Sequence, residues 1–369
     1  MTNVKYIPDP MGSYQSDDCV FLLRNLSTES LEMSNEERER LIQSGTHYSE
    51  MLPIEYQPSK EYLNLFHQTL EEYAKRIAIA VGVVAEQIKM QKSLGNLVLV
   101  SLARAGTPIG VLIKRYLQEH FNENIPHYSI SIIRGKGFDE TAISYILEKH
   151  PDANIQFIDG WTGKGAITKE LDQSCVIYNE KHGTQIDSDL AVLADPGHCS
   201  SLYGTREDFL IPSACLNSTV SGLVSRTILN ENLLAKGDFH GAKFYEEFRS
   251  DDVSNLYVDK ISAYFQHIAD KVQSILVERL LEDTTPTWLG MKAVETIQKE
   301  MEIPDANLIK PGIGETTRVL LRRVPWKILI NPTCIDDLEH VLLLAKDKNI
   351  PIEEYPNMSY SCCGLIKRV

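Results

Sequence analysis

The segment IQFIDGWTGKGAI, residues 155–167, joins a short apolar run to an acidic residue, a turn rich in glycine, and the start of a helix. A continuous apolar run of this length is typical of a strand buried on both faces of a parallel sheet. In the turn that follows, unpaired amide N–H groups converge at the helix start, and glycines let the backbone approach an anion closely. The Walker A pattern is excluded, because Ile158 and Gly165 stand where that pattern needs Gly and Ser or Thr. The segment therefore predicts a phosphate-binding turn at the carboxyl end of a buried strand.

The same alternation of strand and helix continues on both sides of this segment. Apolar strands are predicted at 97–100, 128–133 and 190–194, and helices at 109–117, 142–149 and 166–171. Short buried strands between amphipathic helices favour an α/β fold with a mostly parallel sheet covered on both faces. Ligands of such sheets bind outside the carboxyl ends of the strands, so the loops that follow the strands are the candidate sites.

The chain of 369 residues divides by its residue pattern into three parts. Residues 1–60 are polar and predict an N-terminal extension packed on the body. Residues 61–283 carry the α/β pattern, and residues 284–369 predict a small C-terminal α/β domain. The whole net charge of −14 lies before Thr285, because acidic and basic residues balance from there onward. An acidic body repels polyanions at long range, but backbone donors and local cations still hold a small anion.

Composition excludes several classes of protein. A chain that is 43% hydrophobic and 24% charged is neither collagen-like nor wholly disordered. No apolar run approaches the ~18 residues that a membrane span needs, and residues 1–16 are too polar for a secretory signal, so we expect a cytoplasmic protein. The seven cysteines form no CxxC pair and the histidines no HExxH, which predicts reduced thiols and no protein-ligated metal.

Three loops together resemble those of type I phosphoribosyltransferases, which implies a sheet of that kind and a ligand, phosphoribosyl pyrophosphate, carried with Mg²⁺. By resemblance, Asp159 contacts the ribose hydroxyls, although Gly160 stands where the family has a second acid. The resemblance assigns the 5′-phosphate to Thr162, Gly163, Lys164, Gly165 and Ala166.

The two other loops lie after the first two core strands. Arg104 belongs to a loop that resembles the family's pyrophosphate loop, and Lys136 lies in a basic loop, 134–137, that resembles one closing over the reaction centre. The pyrophosphate loop comprises Ala103, Arg104, Ala105, Gly106 and Thr107. Catalysis in this interpretation rests on Arg104, Lys136 and Asp159, which position the substrate and stabilise the leaving group's charge. Each loop alone also fits an ordinary strand-to-helix turn, with Asp159 as a cap and Arg104 on the surface.

On a longer scale, Gly12–Leu23, Gly45–Tyr56 and the run to about Leu281 resemble the StiP family, found in bacterial tellurium-resistance and stress gene clusters. That family is described both as phosphoribosyltransferase-like and as a cysteine protease. We therefore expect phosphoribosyl transfer to an unidentified acceptor in a stress response. One alternative is a cysteine protease or other thiol hydrolase, and another is a non-catalytic nucleotide sensor coupled to RNA.

The thiol alternative uses Cys199 or Cys215 with His198. Cys215 precedes a helix predicted at 220–228, and a helix amino end lowers the pKa of a thiol. His198 and Cys199 are poorly placed to pair if they are extended, since neighbours in a strand point to opposite faces. Because free cysteine is among the most buried residue types, we favour core packing for both thiols.

The C-terminal residues resemble the pelota/L7Ae type of RNA-binding fold, which implies an RNA partner. That fold has a Gly-x-Asn-Glu turn opening a helix, a basic residue three places on, and a strand. Gly312, Glu315 and Arg318 match, whereas Gly314 replaces the Asn. Arg318, Arg322, Arg323 and Lys327 would contact RNA phosphates. The plainer interpretation is a solvated basic face on a docking domain.

Overall fold

The structure, a computed structural model, describes residues 7–366, apart from the side chains of residues 35, 36, 39, 321 and 322. Its α-helices are α1 (Asn35–Gln43), α2 (Lys60–Gln91), α3 (Gly106–Phe121), α4 (Glu140–Lys149), α5 (Ala166–His182), α6 (Ser254–Ser262), α7 (Ala269–Arg279), α8 (Leu289–Glu300), α9 (Ile313–Arg322) and α10 (Glu339–Asp347). Its strands are β1 (Val20–Phe21), β2 (Arg24–Asn25), β3 (Glu32–Met33), β4 (Leu52–Pro53), β5 (Leu97–Ala103), β6 (His127–Ile133), β7 (Gly137–Phe138), β8 (Asn154–Trp161), β9 (Leu190–Ala194), β10 (Leu202–Thr205), β11 (Gly241–Ala242), β12 (Ile309–Pro311), β13 (Pro325–Ile330), β14 (Ile352–Glu354) and β15 (Cys362–Ile366).

The body is built on a seven-stranded sheet with the order β1-β6-β5-β8-β9-β10 and β7 paired to β6. Only the β6–β7 pair is antiparallel, and all the other pairs of this sheet are parallel. The chain runs from β5 to β6 on one side and from β8 to β9 on the other. The strand order therefore reverses between β5 and β8, and the crevice outside their carboxyl ends is where such sheets bind ligands.

Both faces of the sheet are covered, because successive side chains of each strand point to opposite faces. In β5, Leu97 and Leu99 pack in the core formed with α2 and α3, whereas Val98 and Val100 pack in the core formed with α4 and α5. The continuous apolar run of this strand is thus explained, and the predicted α/β class with a mostly parallel sheet is confirmed.

The N-terminal extension contributes a strand to the sheet. Val20 and Phe21 pair in parallel with Tyr128 and Ser129 of β6. The long helix α2 then begins at Lys60, after Ser59, whose hydroxyl accepts a hydrogen bond from the amide of Tyr62.

The C-terminal module, which we define as residues 288–366, has a four-stranded sheet with the order β12-β15-β13-β14. One side of this sheet packs against α8 in a core of its own that includes Val294 and Ile297. The other side carries α9, whose Ile313 and Leu320 belong to the same buried cluster as the body. The module is therefore packed on the body through a continuous apolar interface.

The sequence prediction fails between β10 and α6. The helix predicted at 220–228 is absent from the described residues there, which form short 3₁₀ turns at Pro212–Cys215 and Ser218–Val220. Leu223 has a left-handed backbone with φ 59°, and Val224 and Ile228 form bridges with Phe244 and Gly241. These long-range backbone pairings override the helical spacing of the apolar residues. After this segment the chain forms the helices α6 and α7.

Candidate functional site

The carboxyl ends of β5 and β8 meet without room for a side chain between their loops. A Cβ built on Gly106 would lie 2.3 Å from the carbonyl oxygen of Ile158, and one on Gly160 would lie 3.1 Å from that of Ala105. Glycine at 160, where the resemblance expects a second acid, thus packs tightly against the loop after β5. Thr107 is buried, and its hydroxyl lies 2.8 Å from that of Ser129, so its side chain faces the interior.

Asp159 lies within β8, next to Gly160 at this junction. Its Oδ1 accepts a hydrogen bond of 2.7 Å from the amide of Gly160. Burial raises the pKa of the Asp159 carboxyl to about 7. An aspartate with such a pKa changes its charge near neutral pH.

The predicted phosphate turn, residues 162–166, is covered by the C-terminal module. The Tyr360 hydroxyl donates to the carbonyl of Gly163 over 3.1 Å, and the Lys164 ammonium donates to the carbonyl of Ala306. A Cβ on Gly165 would lie 2.4 Å from the ring of Trp288 and 2.9 Å from the sulfur of Cys199. The space in front of the turn is therefore filled by protein.

Cys199 lies under the same cover. Its side chain is 1% exposed, and its Sγ is 3.2 Å from the carbonyl oxygen of Gly197. Its amide donates to Oδ1 of the buried Asp195 over 2.8 Å. Burial, followed by the Asp195 charge, raises the pKa of the Cys199 thiol to about 12. The residue is a thiol rather than a thiolate in this state.

His198 is next to Cys199 in a turn, since its φ is 51° and not extended. Within residues 7–366, no hydrogen bond joins its ring to the sulfur of Cys199. Its backbone is fixed on both sides, because its amide donates to the carbonyl of Asp195 over 3.1 Å and its carbonyl accepts from the amide of Trp288 over 2.9 Å. Burial, and to a lesser extent Arg206, lowers the pKa of the His198 ring. The segment that covers the sulfur therefore also holds the histidine loop.

Cys215 lies apart from this loop, at the end of the 3₁₀ turn 212–215. It is 2% exposed and belongs to the main core of the body. Because the predicted helix at 220–228 is absent, no helix amino end faces this thiol from there. The next residues, Leu216 and Asn217, line a large cavity.

This cavity, about 660 Å³ in volume, lies between the extension, the loop after β5 and the C-terminal module. We call it the arginine cavity, because its described lining carries six cationic and two acidic side chains. The cations are Arg38, Arg104, Arg226, Lys310, Arg318 and Arg323. Arg104, which the resemblance assigned to the pyrophosphate loop and the leaving group, lines this cavity and donates to Asn217 Oδ1 over 3.2 Å.

The basic loop 134–137 leads into a short hairpin with β7. A single carboxylate, that of Glu170 on α5, accepts hydrogen bonds from the amides of Gly135 (2.7 Å) and Gly137 (2.9 Å). The exposed Lys136 is carried at the tip. The loop is thus tied to α5 in this state.

The predicted RNA-binding residues separate into two groups. Gly312 and Glu315 lie where α9 docks on the body, and Ile313 donates its amide to Asp208 Oδ1 over 3.0 Å. Arg318 pairs with Glu315 at 3.0 Å. Arg323 is exposed.

Lys327 pairs with Glu353 at 2.7 Å on the sheet of the module. The side chain of Arg322 lies outside the described residues. The Gly-rich turn that the sequence assigned to RNA is therefore used for docking in this structure.

Several residues of these sites carry no sequence signal. Arg38 and Arg226 come from irregular or short segments without a motif, and only their convergence in the arginine cavity connects them. Asp195 follows the predicted strand 190–194, and nothing in the sequence pattern shows that it accepts hydrogen bonds from the amides of Cys199 and Ser200. A buried acid with several backbone donors is recognisable only from coordinates.

Comparison with known proteins assigns the family. Residues 12–262 match the family model described as "Tellurite-like stress resistance cysteine protease StiP", and residues 288–368 match the "PELOTA RNA binding domain". A relative described as "Cysteine protease StiP", from Acinetobacter baylyi, is 34% identical over 351 residues, covering 93% of this chain and 90% of the relative. The chain belongs to the StiP family and has a C-terminal domain of the pelota type.

These findings correct the expected activity. The prediction of a phosphoribosyltransferase that binds phosphoribosyl pyrophosphate is contradicted by a family description and a relative's name that both state a cysteine protease. The thiol alternative agrees with them. The Mg²⁺ expected with the sugar ligand stays an untested prediction, and in the described chain no three His, Cys, Asp or Glu side chains are grouped to hold a metal. The described helices include none long and apolar enough to cross a membrane.

Proposed function

We propose that this chain is a cysteine peptidase whose nucleophile is Cys199 and whose described state is latent. The Acinetobacter relative, which matches nearly the whole chain, is named as a cysteine protease, and this name supports the proposed activity. The observation that supports Cys199 is the position of its sulfur against Gly165, the residue that caps the amino end of the 17-residue helix α5. A helix amino end favours a thiolate, and its free N–H groups also stabilise the oxyanion that forms during acyl transfer.

The chemistry requires an imidazole as base. In a cysteine peptidase the thiolate sulfur attacks the peptide carbonyl, the imidazolium gives its proton to the departing amine, and water then cleaves the thioester. His198 is the histidine of the same loop. Its carbonyl is held by Trp288, and the carbonyl of Gly197 is held by the amide of Gly290 at 3.0 Å. Release of residues 288–290 would free the loop to bring the ring to the sulfur.

Cys215 is the weaker candidate. Its turn is packed against α2 and α9, and the structure lacks the helix at 220–228 that would have activated it. The two candidate nucleophiles predict different effects of substitution on activity, so substituting each cysteine distinguishes between them.

The experiment measures hydrolysis of a peptide library derived from a bacterial proteome, with products identified by mass spectrometry. Because the described state is latent, the matched pair Cys199→Ala and Cys215→Ala is made in the Trp288→Ala protein, which lacks the ring packed against Gly165, and each protein is checked for its unfolding temperature. We expect cleavage to be lost in Cys199→Ala and retained in Cys215→Ala. Cleavage that survives in Cys199→Ala overturns the assignment.

We also propose that the C-terminal domain binds RNA, as its domain family's description states. Because the turn at Gly312 is docked, the contact surface is the exposed edge that leads into β13. There Arg323 is exposed, Trp326 is 40% exposed, and the Lys327 ammonium lies 4.7 Å from the Trp326 ring centroid. An aromatic ring beside cations is a stacking platform for unpaired bases.

Fluorescence anisotropy with a labelled single-stranded RNA tests this surface. Trp326→Ala should weaken binding, whereas Trp161→Phe, placed under the module, should leave it unchanged. Equal affinities of Trp326→Ala and wild type would contradict the assignment.

Finally, we propose that the sheet is of the type I phosphoribosyltransferase kind, as a likeness of fold without that activity. The support is the strand order, which reverses between β5 and β8.

A further inference from the structure

The arginine cavity is assigned no role by the peptidase proposal. It lies between segments that are distant in sequence, with Ile54–Ser59 on one wall and α9 on another. Its volume of about 660 Å³ falls within the ~300–1,000 Å³ that is typical of small-ligand sites. Cys199 is not part of its lining.

Its charge is opposite to that of the chain. Its lining has six cationic side chains and two acidic ones, Glu55 and Glu315, whereas the net charge of the protein is −14. The two acids already have partners, because Glu55 accepts from the amide (3.1 Å) and hydroxyl (2.9 Å) of Ser218, and Glu315 pairs with Arg318. The lining therefore keeps a local excess of positive charge.

Arg226 lies near two of the other cations, Arg38 and Arg104. Its Nη2 donates to the carbonyls of Tyr48 (3.2 Å) and Met51 (3.3 Å), while its Nε is buried without a hydrogen-bond partner. Burial, followed by the charges of Arg38 and Arg104, lowers its pKa to about 10. Cations held together against their mutual repulsion are stabilised by an anion that binds between them.

The chemistry of the lining favours phosphate over carboxylate. A guanidinium fork matches two oxygens of a phosphate, and a phosphate ester carries more charge than a single carboxylate. Tyr56, 71% exposed, and Tyr62 are also in the lining and offer rings to a base. A ribonucleotide combines the two features.

We propose that the arginine cavity binds the phosphate of a ribonucleotide, either at the 5′ end of an RNA strand or in a free nucleotide. Arg323 belongs both to the lining and to the exposed edge of the pelota-type domain, so an RNA on that edge has its terminus within reach of the cavity. The RNA form of this inference rests on the RNA-binding edge proposed above, whereas neither form depends on the peptidase activity.

The experiment compares two octaribonucleotides of one sequence, with a 5′-phosphate or a 5′-hydroxyl, and adds ATP and a hexaglutamate peptide as competitors. Titration calorimetry should show the phosphorylated RNA binding about tenfold more tightly, the effect of one or two charge-assisted hydrogen bonds. Arg226→Gln should remove this difference and Arg226→Lys should retain part of it. Arg249→Gln, an exposed residue paired with Glu246, is the matched control and should behave as wild type.

The other outcomes of this experiment either support or overturn the proposed phosphate site. ATP binding with the same dependence on Arg226 supports the site and identifies a free nucleotide as its source. Equal affinities of the two RNAs together with no ATP binding, or competition by hexaglutamate as effective as by ATP, overturns the proposal. If Arg226→Gln has a lowered unfolding temperature, Arg323→Gln at the exposed edge replaces it. Cys199→Ala should bind the phosphorylated RNA with the affinity of wild type, because Cys199 does not line the cavity. The binding result can therefore be interpreted even if the peptidase assay fails.

Discussion

Removing the cover over Cys199 should make its thiol reactive. Trp288→Ala deletes a ring that packs against Gly165 on the side where the sulfur of Cys199 also lies. The pKa of Cys199 is about 12 in the covered state, against ~8.5 for an ordinary thiol. If the whole shift were lost, the thiolate fraction at pH 8 would rise from about one in 10⁴ to about one in four, which sets an upper limit of ~10³-fold on the acceleration of alkylation. Because the Asp195 charge stays beside the thiol in this variant, we expect an acceleration between ~10-fold and that limit.

The assay follows iodoacetamide modification of the native protein by peptide mass spectrometry over time. Cys175 is the internal control, because it lies on the buried face of α5 in a core cluster that does not include Trp288, and burial raises its pKa to about 12. We expect Cys199 alone to accelerate in Trp288→Ala. An unchanged Cys199 rate, or an equal increase at Cys175 that signals general unfolding, would refute the reasoning.

Three further predictions concern stability. Asp208→Ala leaves two backbone N–H groups of the C-terminal module without their acceptor. Denaturant unfolding should therefore show a free energy of unfolding that is lower by about 2–5 kcal/mol, and Asp208→Asn should show a smaller decrease. Equal decreases in the two variants would contradict this account. Because the pKa of Asp159 is about 7 when folded and ~3.9 when unfolded, its contribution to stability is largest below the unfolded value and is lost as pH rises through 7. Asp159→Asn should therefore be stabilised by about 2–4 kcal/mol at pH 8 and unaffected at pH 4, and a gain at pH 4 would exclude this cause. Gly106→Ala should lower the free energy of unfolding by about 1–3 kcal/mol or more, because its Cβ would lie 2.3 Å from the Ile158 carbonyl oxygen. Gly163→Ala is the matched control, because its Cβ would meet nothing within 4 Å. Equal unfolding temperatures of the two variants would contradict the close packing at Gly106.

The sequence predicted the central sheet because its signal is local. A run such as Leu97–Val100 has to be a buried strand, since both of its faces are apolar and a glycine turn follows. The glycine turn that follows β8 and opens α5 was likewise predicted, whereas Asp159, expected at the end of the strand, lies within it because β8 continues to Trp161.

What covers that turn could not be predicted from the same residues. Trp288 and Tyr360 are distant in sequence, and their contact with Gly163–Gly165 depends on how the C-terminal module docks. A glycine-rich turn that binds an anion and one that receives a tryptophan ring have the same local pattern. The transferase prediction was wrong because it relied on the local sequence pattern alone.

The segment at 220–228 failed for a related reason. Its apolar spacing suits a helix, but Ile228 is paired by two backbone hydrogen bonds of 2.8 Å to Gly241. The arginine cavity is also a long-range feature, because Arg38, Arg104 and Arg226 meet only in the folded chain.

The central claim, that Cys199 is the nucleophile of a latent peptidase, is tested most directly by covalent trapping. A peptidyl vinyl sulfone is incubated with wild type and Trp288→Ala, and the modified cysteine is located by peptide mapping. The account predicts one adduct, on Cys199, that forms slowly in wild type and rapidly in Trp288→Ala. An adduct on Cys215 in both proteins, or none on any cysteine of the opened variant, would contradict it.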